Sequence, residues 1–133
     1  MFYFERRVKG NMNMWSKFIQ NPAEMRLAAS QWLLLYVIKE KDGGITIDEV
    51  YDRLVEKSTE IKKVNPSFFN MWSFGYSLSD VILAQEEFGF IRKKQGDVIQ
   101  WEITERGGDL IKETTEYVSP IIGRNNSGDT KQF

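Results

Sequence analysis

Three consecutive basic residues, Arg92, Lys93 and Lys94, are the side chains of this sequence best suited to bind phosphate. They give their segment a local charge of +3 before Asp97 subtracts one. Lys and Arg side chains bind nucleic-acid phosphates without reading the bases, so this cluster suits contacts to a phosphate backbone. The alternative is that the three residues only solvate the edge of a hairpin.

The usual side chains of an enzyme site are missing from this composition. The chain has no Cys and no His, so it lacks thiol nucleophiles, thiolate metal sites and imidazole bases. Glu86 and Glu87 are adjacent, and adjacent residues on a helix diverge by about 100°, so they cannot easily share one Mg²⁺ ion. Neither pair of adjacent glycines continues into the Gly-Lys-Ser/Thr sequence of a phosphate-binding loop. We therefore expect no enzyme activity, no cofactor and no metal ion.

Length, charge and hydropathy limit the remaining classes of protein. The 133 residues, 41% of them hydrophobic, are enough for one domain with its own core. The chain has 18 basic and 19 acidic side chains, a net charge of -1, so nucleic-acid binding would rest on local charge. No apolar run approaches the ~20 residues of a membrane helix, and the start of the chain is too short and too charged for a secretory signal. We expect a cytoplasmic protein that does not bind membranes.

The first 20 residues are rich in aromatic side chains, among them Phe2, Tyr3, Phe4 and Trp15. We interpret residues 1–20 as an N-terminal arm. The arm either covers the core from one end or forms a dimer contact, because clustered exposed aromatic residues usually mark an interface.

A first helix is predicted from Asn21 as N-cap, with Pro22 at the first helical position, to about Lys41. Its apolar residues wrap around more than one stripe, so we expect burial on two sides. Gly43-Gly44 then ends the helix.

Thr46 and Glu49 form a capping box that predicts a second helix, which ends between residues 56 and 63. Val50, Leu54 and Val55 are predicted to continue its apolar face. Residues 40–61 carry seven acidic and three basic side chains, a net charge of -4. This face should point away from any phosphate.

Asn65 and Pro66 offer an N-cap and a first position for a short extra helix over residues 67–74. We expect the aromatic residues of this segment to pack in the core, although stacking on bases is the alternative. These residues are Phe68, Phe69, Trp72 and Phe74.

Ser77 and Asp80 begin the next predicted helix, which ends at Gly89. A helical wheel groups five residues on its buried side, of which only Gln85 is polar. They are Leu78, Val81, Ile82, Gln85 and Phe88.

A hairpin and a last helix are predicted after Gly89. Residues 90–94 and 98–103 indicate two strands around the turn Gln95-Gly96-Asp97. Thr104 caps a helix that runs from Glu105 to about Tyr117, and Ser119-Pro120 ends it.

The stretch from Ile45 to Lys112 resembles the winged helix regulators of the MarR and PadR kind. Gly89-Phe90-Ile91 matches the turn after their recognition helix, and the segment Trp101 to Gly107 matches the Tyr-x-Leu-Thr-x-x-Gly entry into their last helix. Gln85 departs from the pattern, because the family usually has Leu there.

The resemblance implies a mainly α (α+β) fold, a winged helix-turn-helix with a two-stranded wing and extra N- and C-terminal helices. Residues 21–118 would form the winged helix domain. The polar composition near the end of the chain indicates that residues 119–133 are a polar flexible tail. Similar regulators often dimerise, so the resemblance also implies a homodimer through the N-terminal aromatic residues and the last helix.

The function that the resemblance implies is sequence-specific binding of double-stranded DNA, as in a transcriptional regulator. The helix that starts near Ser77 would lie in the major groove, and the 91–101 hairpin would contact the phosphate backbone. Lys62 and Lys63 would extend the basic surface if they joined the hairpin. The candidate DNA-binding residues are Lys62, Lys63, Asn70, Tyr76, Ser77, Ser79, Arg92, Lys93, Lys94 and Gln95.

The alternative function is a winged helix protein-protein interaction or assembly module that does not bind DNA. The net charge and the acidic second helix favour this alternative. Asp80 favours it too, because an acidic residue near the start of a recognition helix repels phosphate unless it accepts a hydrogen bond from cytosine N4.

Overall fold

A computed structural model describes residues 22–68 and 77–123 of the chain. The elements within these ranges are α1 (Pro22–Glu40), α2 (Ile47–Val64), α3 (Leu78–Glu87), β1 (Ile91–Lys94), β2 (Gln100–Ile103) and α4 (Glu105–Ile122). This part of the chain is mainly helical with one antiparallel hairpin, as the predicted α+β class requires. None of the four helices in these ranges is long and apolar enough to cross a bilayer.

Helix α1 is the centre of the core. It packs against α2, β2 and α4, and its side chains from Ala28 to Leu35 are all buried. The Trp32 ring stacks on the Tyr36 ring with centroids 4.8 Å apart, and the Trp32 indole N–H donates to Thr115 Oγ1 at 3.0 Å. The prediction that this helix is buried on two sides is confirmed. The predicted N-cap, Asn21, lies outside the described residues.

Helix α2 begins with the predicted capping box. The Glu49 N–H donates to Thr46 Oγ1 at 3.3 Å, and the Thr46 N–H donates to Glu49 Oε1 at 3.0 Å. Val50 and Leu54 are buried, but Val55 is 43% exposed, so the prediction that Val55 continues the apolar face is wrong. One residue beyond Leu54 lies about 100° further around the helix, which turns Val55 toward solvent.

Asn65 ends α2 instead of beginning a new helix. Its N–H donates to the Ile61 carbonyl at 2.8 Å, and its Oδ1 accepts from the Ser67 hydroxyl at 2.7 Å and from the Ser67 N–H at 3.3 Å. Pro66 and Ser67 lie in a turn, because the Asn65 side chain replaces the next helical bond in a local turn. The rest of the predicted extra helix, residues 69–74, lies outside the described residues.

Helix α3 begins and ends where the sequence predicts. Ser77 Oγ accepts a hydrogen bond from the Asp80 N–H at 3.0 Å, and Gly89 leaves the helix with a positive φ of 82°. A positive φ favours glycine because it has no β carbon. Val81, Ile82 and Gln85 are buried, so the predicted polar interruption of the buried face is present.

The hairpin pairs Ile91 with Ile103 and Lys94 with Gln100. The second strand begins at Gln100 and not at Val98, so the predicted strand over residues 98–103 is two residues too long. The connection is accordingly longer than the predicted turn, and Val98 is exposed in it.

Beside the hairpin, Ile45 forms an antiparallel bridge with Trp101. Two backbone hydrogen bonds of 2.9 Å make this bridge, one from each N–H to the other carbonyl. The segment between α1 and α2 therefore adds a single bridged residue beside β2, and the sheet itself keeps two strands.

Helix α4 begins at the predicted Thr104 cap but continues to Ile122. The prediction that Ser119-Pro120 ends the helix is wrong. Pro120 cannot donate a backbone hydrogen bond within the helix. The helix nevertheless continues past it, because Ile122 in the next turn is buried in the core. Asn65 Nδ2 also donates to the Ile121 carbonyl at 3.2 Å, which holds this last turn against the end of α2.

Candidate nucleic-acid interface

The hairpin divides its three basic residues between two faces. Because side chains alternate along a strand, Arg92 and Lys94 share one face and Lys93 lies on the other. Arg92 is directly opposite Glu102 in the register, and its Nε donates to Glu102 Oε2 at 2.5 Å. Lys94 Nζ lies 3.9 Å from the other oxygen of the same carboxylate. Glu102 therefore partly neutralises two of the three bases.

Glu102 stays ionised because its neighbours stabilise the carboxylate. The hydrogen bond from Arg92 lowers the pKa of Glu102, and the charge of Lys94 adds to this effect. With Asp97 and Glu102 set against its three bases, the hairpin has a net charge of only +1. The sequence-based estimate of its charge omitted Glu102, which the antiparallel register places opposite Arg92.

Lys93 is the most available base of the hairpin. It is exposed, and no described residue forms an ion pair with it. Lys94 also donates to the Gly43 carbonyl at 2.6 Å, so its ammonium is held against the segment that precedes α2. Gln95 is exposed at the start of the connection between the strands.

The exposed face of α3 is acidic and apolar. Ser79, Asp80 and Glu87 are exposed, and Leu83 is 45% exposed. The helix contains no Lys or Arg. Any phosphate contact near this helix would therefore have to come from its N-terminal N–H groups, from hydroxyl groups, or from basic residues on other elements.

Two of the remaining candidates do not join the hairpin. Lys62 and Lys63 lie in the last turn of α2, whereas Lys94 contacts Gly43, just before α2 begins. A helix of 18 residues is ~27 Å long, so the two groups lie at opposite ends of α2. Lys63 is also paired with Glu60 at 3.1 Å. Lys62 and Lys63 therefore do not join the hairpin bases into one basic stripe.

The last three candidate residues are Ser77, Asn70 and Tyr76. Ser77 is exposed, but its hydroxyl accepts the capping hydrogen bond of α3. The remaining two, Asn70 and Tyr76, lie outside the described residues.

Thr104 fixes the hairpin relative to α3 and α4. Its Oγ1 donates to the Gly89 carbonyl at 2.6 Å and accepts from the Gly107 N–H at 3.1 Å. Its N–H donates to the Phe90 carbonyl at 3.1 Å. The sequence predicted the capping bond, but not the bonds that join the end of β2 to the turn after α3.

Trp101 joins the hairpin to two other elements. Its backbone pairs with Ile45, and its indole N–H lies 3.4 Å from Glu86 Oε1 on α3. Glu86 therefore has a structural contact, which the sequence did not indicate.

Comparison of the chain with protein-family models, with curated proteins and with solved structures finds no match.

Proposed function

We propose that this chain is a winged helix protein that binds double-stranded DNA and regulates transcription. The observation that carries the proposal is the bridge between Ile45 and Trp101. With it, the order of the described elements is helix, one-residue bridge, helix, helix, two hairpin strands and a last helix. This order is the one expected for a helix-turn-helix, α2 and α3, followed by a wing that pairs with a strand before α2.

In this proposal the hairpin contacts phosphates and α3 contacts bases. Lys93 is exposed for a direct phosphate contact, and Arg92 and Lys94 contribute where phosphate competes with Glu102. On α3, the Ser79 hydroxyl can bond to a base edge and the exposed Leu83 can contact a thymine methyl group.

The charge of the hairpin sets the expected salt dependence of binding. If all three hairpin bases contact phosphates, the slope of log K against log salt is about -2.7 per protomer. Binding should therefore be strongest in low salt, and the association constant should fall only moderately as the ionic strength rises.

The experiment is duplex binding by the full chain at low salt, with random and selected sequences. Replacing Lys93 and Lys94 by Ala should weaken binding to every sequence and flatten the salt slope by about 2. Lys112→Ala, which removes one exposed base on α4, is the matched control for each of the two single substitutions. Failure of the unmodified chain to bind any duplex at low salt would overturn the proposal.

A second candidate is a protein-protein interaction or assembly module on the same fold. The observation that favours it is the exposed Leu83 on an α3 that has acidic residues and no basic ones. Such a surface suits a basic, partly apolar partner better than phosphate. A chain that binds no duplex and loses a protein contact on Leu83→Ser would support this candidate.

A further inference from the structure

Charge is unevenly divided between the described part of the chain and its N-terminal segment. Residues 22–68 and 77–123 hold 12 basic and 17 acidic side chains, a net charge of -5. Residues 1–20 hold four basic side chains and one acidic one, a net charge of +3. The two parts therefore attract each other.

The outer surface of α2 concentrates this negative charge. Asp48, Asp52 and Glu56 are exposed there, and the partly exposed side chains of Tyr51 and Val55 lie between them. At 100° per residue, these five positions fall within about 140° of the helix surface. We call these five residues the acidic face of α2.

The carboxylates of the acidic face differ from the other acids of α2 in their surroundings. Glu49 is paired with Lys41 and Glu60 with Lys63. Within the described ranges, none of the three carboxylates of the acidic face forms an ion pair. This face thus offers three neighbouring acidic groups beside apolar surface.

The composition of the N-terminal segment, residues 1–20, is complementary to that of the acidic face of α2. Arg6, Arg7 and Lys9 lie close together, and Phe2, Tyr3, Phe4 and Val8 flank them. A basic segment with adjacent aromatic side chains can pair with carboxylates and cover apolar surface at the same time.

The direction of α1 relative to α2 sets where the segment joins the described part of the chain. Glu40, at the end of α1, pairs with Arg53 and Lys57, and Tyr36, one turn earlier, lies beneath Lys57. Lys41 pairs with Glu49, still nearer the start of α2. The two helices therefore run in opposite directions, and the start of α1 lies toward the far end of α2.

The length of the segment is sufficient to reach the acidic face. Twenty extended residues span up to ~66 Å, whereas the whole of α2 is ~27 Å long. The segment can therefore run back along α2 of its own chain.

We propose that residues 1–20 bind the acidic face of α2 in the same chain. The basic residues of the segment pair with Asp48, Asp52 and Glu56, and its aromatic residues cover Tyr51 and Val55. This inference goes beyond the proposed function and does not depend on DNA binding, because its test contains no DNA.

The first test is photo-cross-linking of the full chain. A photoreactive amino acid placed at Val55 should cross-link to residues 1–20, as mapped by mass spectrometry. The same amino acid at Ile99, an aliphatic position in the hairpin connection that is at least as exposed as Val55, should give few such products. Mixing isotopically labelled and unlabelled chains separates the sources. Cross-links between two chains, or none from position 55 to the segment, would overturn the proposal.

Charge reversal supplies the second test. Asp52→Lys with Glu56→Lys should lower the cross-link yield about tenfold, as expected for the loss of ion pairs worth ~1.4 kcal/mol together. Adding Arg6→Glu and Arg7→Glu should restore it. The matched control, Glu105→Lys with Glu116→Lys, reverses two exposed acids on α4 and should leave the yield unchanged.

Each charge-reversal variant must be shown to fold, so that a change in cross-link yield can be assigned to the lost or restored ion pairs. Circular dichroism shows whether each variant folds. A folded α2 variant with unchanged yield, or the absence of rescue in a folded four-residue variant, would count against the pairing.

Discussion

Gly107 approaches the backbone of Phe90 so closely that no other residue fits. A β carbon on Gly107 would lie 2.1 Å from the Phe90 carbonyl oxygen and 2.8 Å from Ile103 Cδ1. This contact brings the first turn of α4 against the end of the turn that follows α3. The glycine at the end of the Thr-x-x-Gly sequence is therefore required by packing.

Gly107→Ala should destabilise the fold by about 2 kcal/mol, because overpacking against a backbone atom outweighs the better helix propensity of Ala. Gly108→Ala is a matched control, since a β carbon there has no neighbour within 4 Å. The control should gain about 0.5 kcal/mol. Urea unfolding measures both changes, and equal effects of the two substitutions would contradict the packing argument.

The buried pair Gln31 and Gln85 should show strong energetic coupling. Gln31 Nε2 donates to Gln85 Oε1 at 3.0 Å inside the core. Gln85→Leu should cost about 1 kcal/mol, because it leaves a buried amide without its partner. Adding Gln31→Leu should recover this loss. A double-mutant cycle by chemical unfolding measures the coupling, and simply additive losses would show that the hydrogen bond contributes nothing.

Acid should weaken the start of α2 through Glu49. The hydrogen bond from the Lys41 side chain, followed by that from the Thr46 N–H, lowers the pKa of Glu49 to about 2. Because this pKa is below its ordinary value of 4.5, the stabilising effect is complete above pH 4.5 and is lost as the pH falls toward 2.

The thermal midpoint of the wild type should therefore exceed that of Glu49→Gln at pH 6, and the two should converge near pH 2. Lys41→Met should reduce the same pH dependence, because it removes the largest cause of the lowered pKa. A gap between wild type and Glu49→Gln that stays constant over this range would exclude Glu49 as its source.

Glu102→Gln should strengthen DNA binding if the proposed function is correct. The substitution removes the carboxylate that faces Arg92 and Lys94, so both bases become more available to phosphate. We expect tighter binding at low salt and a steeper salt slope, measured by fluorescence anisotropy. Asp97→Asn serves as a comparison, because it makes the same charge change in the hairpin connection. If Glu102→Gln has no larger effect than Asp97→Asn, the pairing with Glu102 does not limit phosphate binding.

Local signals in the sequence predicted the starts of three helices and the end of α3 correctly. Thr46, Ser77 and Thr104 cap the helices that their positions indicate, and Gly89 ends α3. Each of these features depends on a few adjacent residues, whose hydrogen bonds can be deduced from their types and spacing.

Features set by tertiary contacts were not predictable in the same way. The pairing of Arg92 with Glu102 depends on the length of the hairpin connection, which the sequence suggested to be shorter. The continuation of α4 past Pro120 depends on burial of Ile122 and on a hydrogen bond from Asn65. Lys62 is separated from the hairpin because it lies in the last turn of α2, whereas the hairpin contacts the segment just before the first turn of α2.

The bridge between Ile45 and Trp101 joins residues 56 positions apart in the chain. The hairpin therefore cannot be treated as an appendage that folds, moves or can be deleted independently of the helices. Its base becomes ordered only when the segment before α2 is also in place, since the two supply each other's backbone hydrogen bonds. The amide protons of these two residues accordingly exchange with solvent only when the hairpin and the α1–α2 connection open together.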